Sequence, residues 1–182
     1  VEVTIANLTS NKDAYMESYG VNMLPVLWLD NYSMLTEENV GAYDVVVCTI
    51  FHTVRFCEFL KSKTTPKVVY YIQDYEPYFL EENRGLGGFD EEAYQEAVVS
   101  YILLPNAINV TKTEWNRNEV KKNTGADCHV IGPSVNVNLF APRPKVMKNR
   151  LIITAMIRPD TLRRGPKMTM DVFQEVANKY RD

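Results

Sequence analysis

Short apolar runs alternate with helical periods along most of the chain. The apolar runs are rich in Val and Ile, which favours strands over helices, and lie at Val1–Ala6, Met23–Leu29, Tyr43–Ile50, Lys67–Gln73, Ala107–Val110, Cys128–Ile131 and Leu151–Met156. Helical spacing predicts helices at Val54–Ser62, Glu91–Tyr101, Thr113–Asn123 and Lys167–Tyr180. Continuous apolar strands separated by helices are typical of a doubly wound α/β domain, whose parallel sheet is covered on both faces.

Two of the predicted helices carry further signals. Thr113 can cap the third helix, and Gly125 suits a left-handed stop after it. The fourth helix has an apolar stripe that we expect to pack on a sheet, formed by Met168, Val172, Phe173, Val176 and Tyr180.

The segment 132–150, "GPSVNVNLFAPRPKVMKNR", interrupts the alternation. It has three prolines and no apolar period, and therefore reads as an interdomain connector. Residues 1–131 are then an N-terminal domain, and 151–182 are the first strand and helix of a second α/β domain. The chain starts at Val1 without Met and stops at Asp182 just after a helical pattern, so we expect a fragment. Its last helix should expose an apolar patch, pair with another copy as a homodimer, or fold onto the N-terminal domain.

Composition narrows the function classes. The chain has 182 residues, of which 46% are hydrophobic, enough for a sizeable core. The net charge is −3, so the chain has no overall positive charge that would attract nucleic acid or acidic lipid. No apolar run approaches the roughly 20 residues of a membrane span, so any membrane association is expected to be peripheral. Three scattered cysteines, without metal-ligand spacing, favour a reducing, cytoplasmic setting.

The stretch "YYIQDYEPYF" (70–79) leads out of a predicted strand and mixes acids with aromatic rings. Rings can stack on the C–H faces of a sugar while carboxylates accept bonds from its hydroxyls. Ligands of open α/β sheets bind at the carboxyl ends of strands. We therefore predict that Asp74, nearest the strand end, is a catalytic or substrate-orienting carboxylate. The predicted acceptor- or sugar-binding residues are Gln73, Tyr75, Glu76, Tyr78 and His52, the last of which follows a neighbouring strand.

Other interpretations of these residues stay open. Asp74 and Glu76 form a D-x-E pair that could hold a divalent cation. They could equally be acids at the start of a helix whose first residue is Pro77. His52 is at least as often a satisfied structural histidine as a ligand.

A second strand-end loop, "IRPDTLRRGP" (157–166), concentrates Arg158, Arg163 and Arg164 beside Gly165. Guanidinium groups match phosphate oxygens bidentately, and a glycine lets the backbone approach closely, so the loop suits a diphosphate. A solvated basic turn is the alternative.

Four sequence motifs, in their order along the chain, resemble motifs of GT-B-fold glycosyltransferases of the retaining family-4 type. The resemblance is nearest to the rhamnosyltransferase-like branch. "YYIQDYEPYF" is similar to that branch's aromatic and acidic loop, and "NVTKTEWNRNEVKKNTG" looks like its helix before the connector. "VIGPSVNVNLFAP" resembles the hinge motif "VIPNGVDxxxFxP", with Ser134 and Asn136 replacing Gly and Asp. "AMIRPDTLRRGP" resembles the G-R-x5-K-G loop that grips the donor's phosphates, with Arg158 at the Arg and Arg164 at the Lys before Gly165.

The resemblance implies a Rossmann-like GT-B half and a hexosyltransferase activity in polysaccharide biosynthesis. A sugar, rhamnose in that branch, would move from a nucleotide-diphosphate donor to a glycan or lipid-linked acceptor. The N-terminal domain would hold the acceptor and the second domain the diphosphate, with no catalytic metal or other cofactor. The family's E-x7-E motif would lie beyond Asp182. A non-catalytic carbohydrate- or protein-binding module and a metal-dependent GT-A-like transferase using Asp74 and Glu76 are the alternative hypotheses.

Overall fold

The computed structural model describes residues 2–19, 25–82, 84, 88–142, 144, 152–159 and 161–180. The chain divides into two compact units. The first unit contains Val1–Pro77 and Glu91–Gly132, and the second contains Tyr78–Asp90 and Pro133–Asp182. Residues 78–90, which the sequence pattern assigns to the N-terminal domain, therefore group with the second unit.

The first unit is built on two parallel sheets. Its strands are β1 (Ile5–Leu8), β2 (Val26–Leu29), β3 (Val45–Cys48), β4 (Lys67–Ile72), β5 (Ile108–Thr111) and β6 (His129–Val130). Strands β1 and β2 pair in parallel, and the other four form a parallel sheet in the order β3-β4-β5-β6. Each apolar run predicted here overlaps one of these strands, so the parallel α/β prediction is confirmed.

The helices are α1 (Lys12–Tyr19), α2 (Glu37–Val40), α3 (Phe51–Phe56), α4 (Pro77–Glu81), α5 (Glu91–Leu103), α6 (Glu114–Thr124) and α7 (Pro166–Lys179). Helix α6 lies within one residue of its predicted ends and has the predicted caps: the Thr113 hydroxyl accepts a bond from Asn116 N at 3.2 Å, and Gly125 adopts a φ of 76°. Helix α3 starts earlier than predicted and is followed by a 3-10 turn, Glu58–Leu60. Short α1 and α2 lack a clear apolar period and were not predicted, whereas α4 begins at Pro77, as one interpretation of the sequence allowed.

One face of the four-stranded sheet is buried and the other is not. Cys48, Tyr70, Ile72 and Thr111 lie on the buried face. Helices α5 and α6 reach it directly, since Tyr70 OH lies 3.4 Å from Ser100 Oγ and Asn116 Nδ2 donates to Thr111 Oγ1 at 3.2 Å. On the opposite face the valines of β3, at positions 45 and 47, are 50% and 56% exposed.

The described residues therefore show a sheet covered on one face, and double winding is not shown. The strand order gives the physical reason. Crossovers between parallel strands are nearly always right-handed, so strands added in one direction place their helices on one face.

The second unit differs more from the sequence prediction. Residues 133–142 contain no helix or strand, as expected of a connector, while 145–150 lie outside the described residues. The predicted strand Leu151–Met156 is wrong over 152–156, which has no regular structure; Leu151 itself is not described. A strand needs partners for its backbone groups, and the described part of this unit contains no other strand.

Helix α7 also departs from its predicted packing. Phe173 of the predicted stripe is half-buried, but Met168, Val172, Val176 and Tyr180 are exposed, as expected of an exposed apolar patch. Of the helices described, none is long and apolar enough to span a bilayer.

Candidate functional site

The loop Gln73–Glu76 connects β4 to α4 at the carboxyl edge of the sheet. Asp74 Oδ1 accepts a hydrogen bond from Tyr75 N at 2.9 Å, which shapes the turn. Helix α4 then begins at Pro77, so the acids do precede a helix, as one interpretation of the sequence expected. This edge is where parallel α/β sheets bind their ligands.

Gln73 is held from two sides. Its Nε2 donates to Thr49 O, which follows β3, and its carbonyl accepts from Asn116 Nδ2 of α6, both at 3.0 Å. Thr111, at the end of β5, donates its hydroxyl to Ile72 O at 2.9 Å. The exit of β4 is therefore tied to both neighbouring strands, although Gln73 itself remains exposed.

Glu76 lies inside the first unit and is only 7% exposed. Its Oε2 accepts from Phe51 N at 2.8 Å, in the first turn of α3, and from Tyr70 OH at 3.1 Å. Burial raises the pKa of Glu76 to about 7, against the opposing effect of these two hydrogen bonds and with a smaller contribution from Asp74. Glu76, which the sequence predicted to bind sugar, is thus a buried residue that joins the loop to α3.

Tyr75 is also buried, at 3% exposure, and packs against α5. Its ring lies 5.6 Å from that of Tyr101, nearly parallel to it, and the Tyr101 ring lies 5.7 Å from Tyr70. Tyr101 OH accepts from Glu76 N at 2.9 Å and donates to Asp74 O at 3.2 Å. Burial raises the pKa of Tyr101, which keeps this hydroxyl protonated. Tyr75 therefore offers no open face for a sugar and instead holds the loop.

Replacing Tyr101 by Phe should lower the free energy of unfolding by about 1–3 kcal/mol, because Glu76 N loses its buried acceptor while the ring stack remains. The matched control is Tyr71→Phe, on the half-exposed sheet face, which should change stability by about 0.5 kcal/mol or less. Urea denaturation of both variants measures the difference. Equal stabilities would show that the Tyr101 hydroxyl does not hold the loop.

His52 follows β3, as the sequence predicted, and lies in the first turn of α3, ahead of the predicted start of that helix. Its side chain is 48% exposed, its Nδ1 lies 3.5 Å from Glu96 Oε1, and its ring packs on Phe51 with centroids 3.7 Å apart. His52 is therefore accessible to a ligand at the same edge of the sheet as the Gln73–Glu76 loop.

Three residues at this edge escaped the sequence prediction. Lys112 directly follows β5, and Trp115, in the first turn of α6, is 48% exposed. Both could have been found from the sequence, because they follow an apolar strand and ligands of parallel α/β sheets bind at the carboxyl ends of strands. Asn116 carries a weaker signal, because Asn is a poor helix former inside a helix and here serves as a buried donor.

In the second unit, the arginine loop leads into α7. A 3-10 turn, Leu162–Arg164, ends at Gly165, whose φ of 59° is in the left-handed region, and α7 begins at Pro166. Arg158 and Arg164 are exposed, and Arg164 lies two residues before α7 begins, where unpaired N–H groups favour anions.

Arg163 has a different role from the other two arginines. Its guanidinium lies 4.6 Å from the Phe79 ring and 5.9 Å from the Tyr78 ring, both within the second unit. The half-buried Tyr78, predicted to bind sugar, therefore contacts an arginine.

Among the residues that the structure describes, no cluster of three His, Cys, Asp or Glu side chains could hold a metal ion. Comparison of the chain with protein-family models, curated proteins and solved structures finds no match.

Proposed function

We propose that this chain belongs to a glycosyltransferase of the GT-B, retaining family-4 type, cytoplasmic and peripheral to the membrane. It transfers a sugar, rhamnose by analogy with the resembling loop, from a nucleotide-diphosphate donor to a glycan or lipid-linked acceptor. The observation that carries the proposal is the Gln73–Glu76 loop, which presents Gln73 and the half-exposed Asp74 at the carboxyl edge of a parallel sheet. Hydrogen bonds to three neighbouring elements hold this loop.

Preorganisation supports a role in positioning a sugar hydroxyl. A carboxylate orients a reacting group efficiently only when its own position is restricted, and Asp74 is fixed through both Oδ1 and its carbonyl. Asp74 is the proposed catalytic or orienting carboxylate, and Gln73 and His52 are the proposed acceptor contacts. Tyr75 and Glu76 act through the loop and are positioning residues.

The exposed Trp115 takes over the stacking role that the sequence suggested for Tyr75. An indole with half its surface open offers a large apolar face to the C–H groups of a sugar, which a buried tyrosine cannot do. Lys112 adds a positive charge at the same edge.

The donor's diphosphate is assigned to Arg158, Arg164 and Gly165. Two exposed guanidinium groups, one of them two residues before the N-terminus of a 14-residue helix, can stabilise the negative charge that develops on the leaving diphosphate. No catalytic metal is needed in this proposal, because the arginines supply the positive charge.

Arg158→Ala and Arg164→Ala should each lower kcat/KM for the donor. The corresponding loss of transition-state stabilisation is about 1.5–3 kcal/mol, the range for charge-assisted hydrogen bonds. Arg163→Ala is the control from the same loop and should leave donor kinetics nearly unchanged, since its guanidinium packs on Phe79. Steady-state kinetics with varied donor concentration provides the measurement. Equal effects of all three variants would contradict the assignment.

The function itself is tested by incubating the whole protein with a panel of nucleotide-diphosphate sugars, with and without glycan acceptors. We expect release of nucleoside diphosphate that an acceptor accelerates and that EDTA does not suppress. Sugar binding without any turnover would favour the non-catalytic module, and full loss of activity with EDTA would favour the metal-dependent alternative.

A further inference from the structure

A cavity of about 230 Å³ opens at the amino edge of the four-stranded sheet, where β4 begins at Lys67. Buried Leu60, Val68 and Leu104 contribute its apolar walls. Lysines 61, 63 and 67 also line it, so that an apolar interior meets a cationic rim.

The lysines differ in their partners. Lys63 Nζ lies 2.8 Å from Glu37 Oε1 and is neutralised by it. Lys61 and Lys67 are exposed, and within the described residues neither has a side-chain hydrogen-bond or ion-pair partner. Among the residues that the structure describes, no acidic side chain lines the cavity, whereas Thr64 and Asn106 contribute further polar groups to its wall. Lys61 and Lys67, both exposed, line the same concave site.

Size and position limit what the cavity can accept. Its volume corresponds to roughly eight water molecules and is below the roughly 300–1,000 Å³ of sites for drug-sized ligands. The six residues of β4 separate Lys67, at the cavity, from Gln73 by about 20 Å at the usual rise of a strand. The cavity is therefore suited to enclosing a ligand smaller than a nucleotide, and the proposed acceptor site lies at the opposite edge of the sheet.

We propose that this cavity is a binding site for a small phosphate ester. The ammonium groups of Lys61 and Lys67 bind the phosphate as point charges, and Thr64 and Asn106 supply hydrogen bonds. The short carbon part of the ester lies against the apolar walls. Soluble phosphate esters and the headgroup of phosphatidic acid share this chemistry, so the test includes both sources.

The first arm titrates the whole chain with glycerol 3-phosphate by isothermal calorimetry. We expect saturable binding at one site that Lys61→Gln and Lys67→Gln each weaken by about tenfold, as loss of a charge-assisted contact implies. Lys122→Gln, at another exposed lysine that lies in α6 outside the cavity, removes the same charge and should bind like the wild type. Thermal melts check that all variants remain folded.

The second arm measures co-sedimentation with phosphatidylcholine vesicles, with or without phosphatidic acid. Saturable binding of glycerol 3-phosphate supports the site with a soluble ligand. Capture only by vesicles containing phosphatidic acid, lost in Lys61→Gln and Lys67→Gln, supports it with a lipid headgroup. Absence of binding in both arms, or equal weakening by Lys122→Gln, would overturn the proposal. Neither result depends on glycosyl transfer.

Discussion

Asp74→Asn is expected to lower the rate of sugar transfer by about a hundredfold or more while leaving the fold intact. The substitution removes a negative charge but keeps the shape of the side chain. An amide oxygen can still accept the bond from Tyr75 N, and the contact between Tyr101 OH and the Asp74 carbonyl does not involve the side chain. A transfer assay on the whole protein, run beside a thermal melt, measures both properties.

Two controls separate a specific effect of Asp74 from loss of charge alone. Asp44→Asn removes an equally sized charge just before β3, at the opposite edge of the sheet, and should leave transfer unchanged. Glu76→Gln should reduce transfer more mildly than Asp74→Asn, because Glu76 acts through the loop. If Asp74→Asn melts early but keeps its activity per folded molecule, the loop is structural and the sugar hypothesis for it is wrong.

Glu76→Gln is expected to remove a pH-dependent loss of stability on the order of 3 kcal/mol. Burial raises the pKa of Glu76 from 4.5 to about 7, so between these values the folded protein binds a proton that the unfolded chain has released. The contribution of Glu76 to the free energy of unfolding is therefore complete below about pH 4.5 and is lost as pH rises through about 7. A shift of one pKa unit is worth about 1.4 kcal/mol, which gives the stated magnitude.

Urea denaturation of both proteins across pH 4.5–8 tests this prediction, because the difference between the two profiles cancels the other titrating groups. Glutamine can still accept the bond from Phe51 N, so the variant should fold. Glu38→Gln, which changes an exposed acid of α2, is the control and should keep the wild-type profile. Parallel profiles for wild type and Glu76→Gln would mean that Glu76 does not titrate in this range.

Side-chain orientation within the Gln73–Glu76 loop was not predictable from its composition. The sequence correctly indicated polar and aromatic residues after a buried strand. It did not show that Tyr75 and Glu76 turn inward, because their burial depends on Tyr101 and Phe51, which lie 26 and 25 residues away along the chain. An alternation of ring and acid is compatible with either orientation.

The sequence by itself determined the features that depend on neighbouring residues. Apolar runs of Val and Ile specified where β3, β4 and β5 form, and Thr113 and Gly125 specified where α6 begins and ends, because capping and strand propensity act over a few residues. Tertiary structure decided the rest. The apolar segment 152–156 forms no strand because it has no partner strand in the described part of its unit. The helices that connect strands β3 to β6 cover one face of their sheet. The cavity beside Lys61 and Lys67 exists only because residues 60–68 meet residues 104–107. Backbone pairing, crossover direction and cavity shape all depend on contacts between distant parts of the chain, which no local pattern encodes.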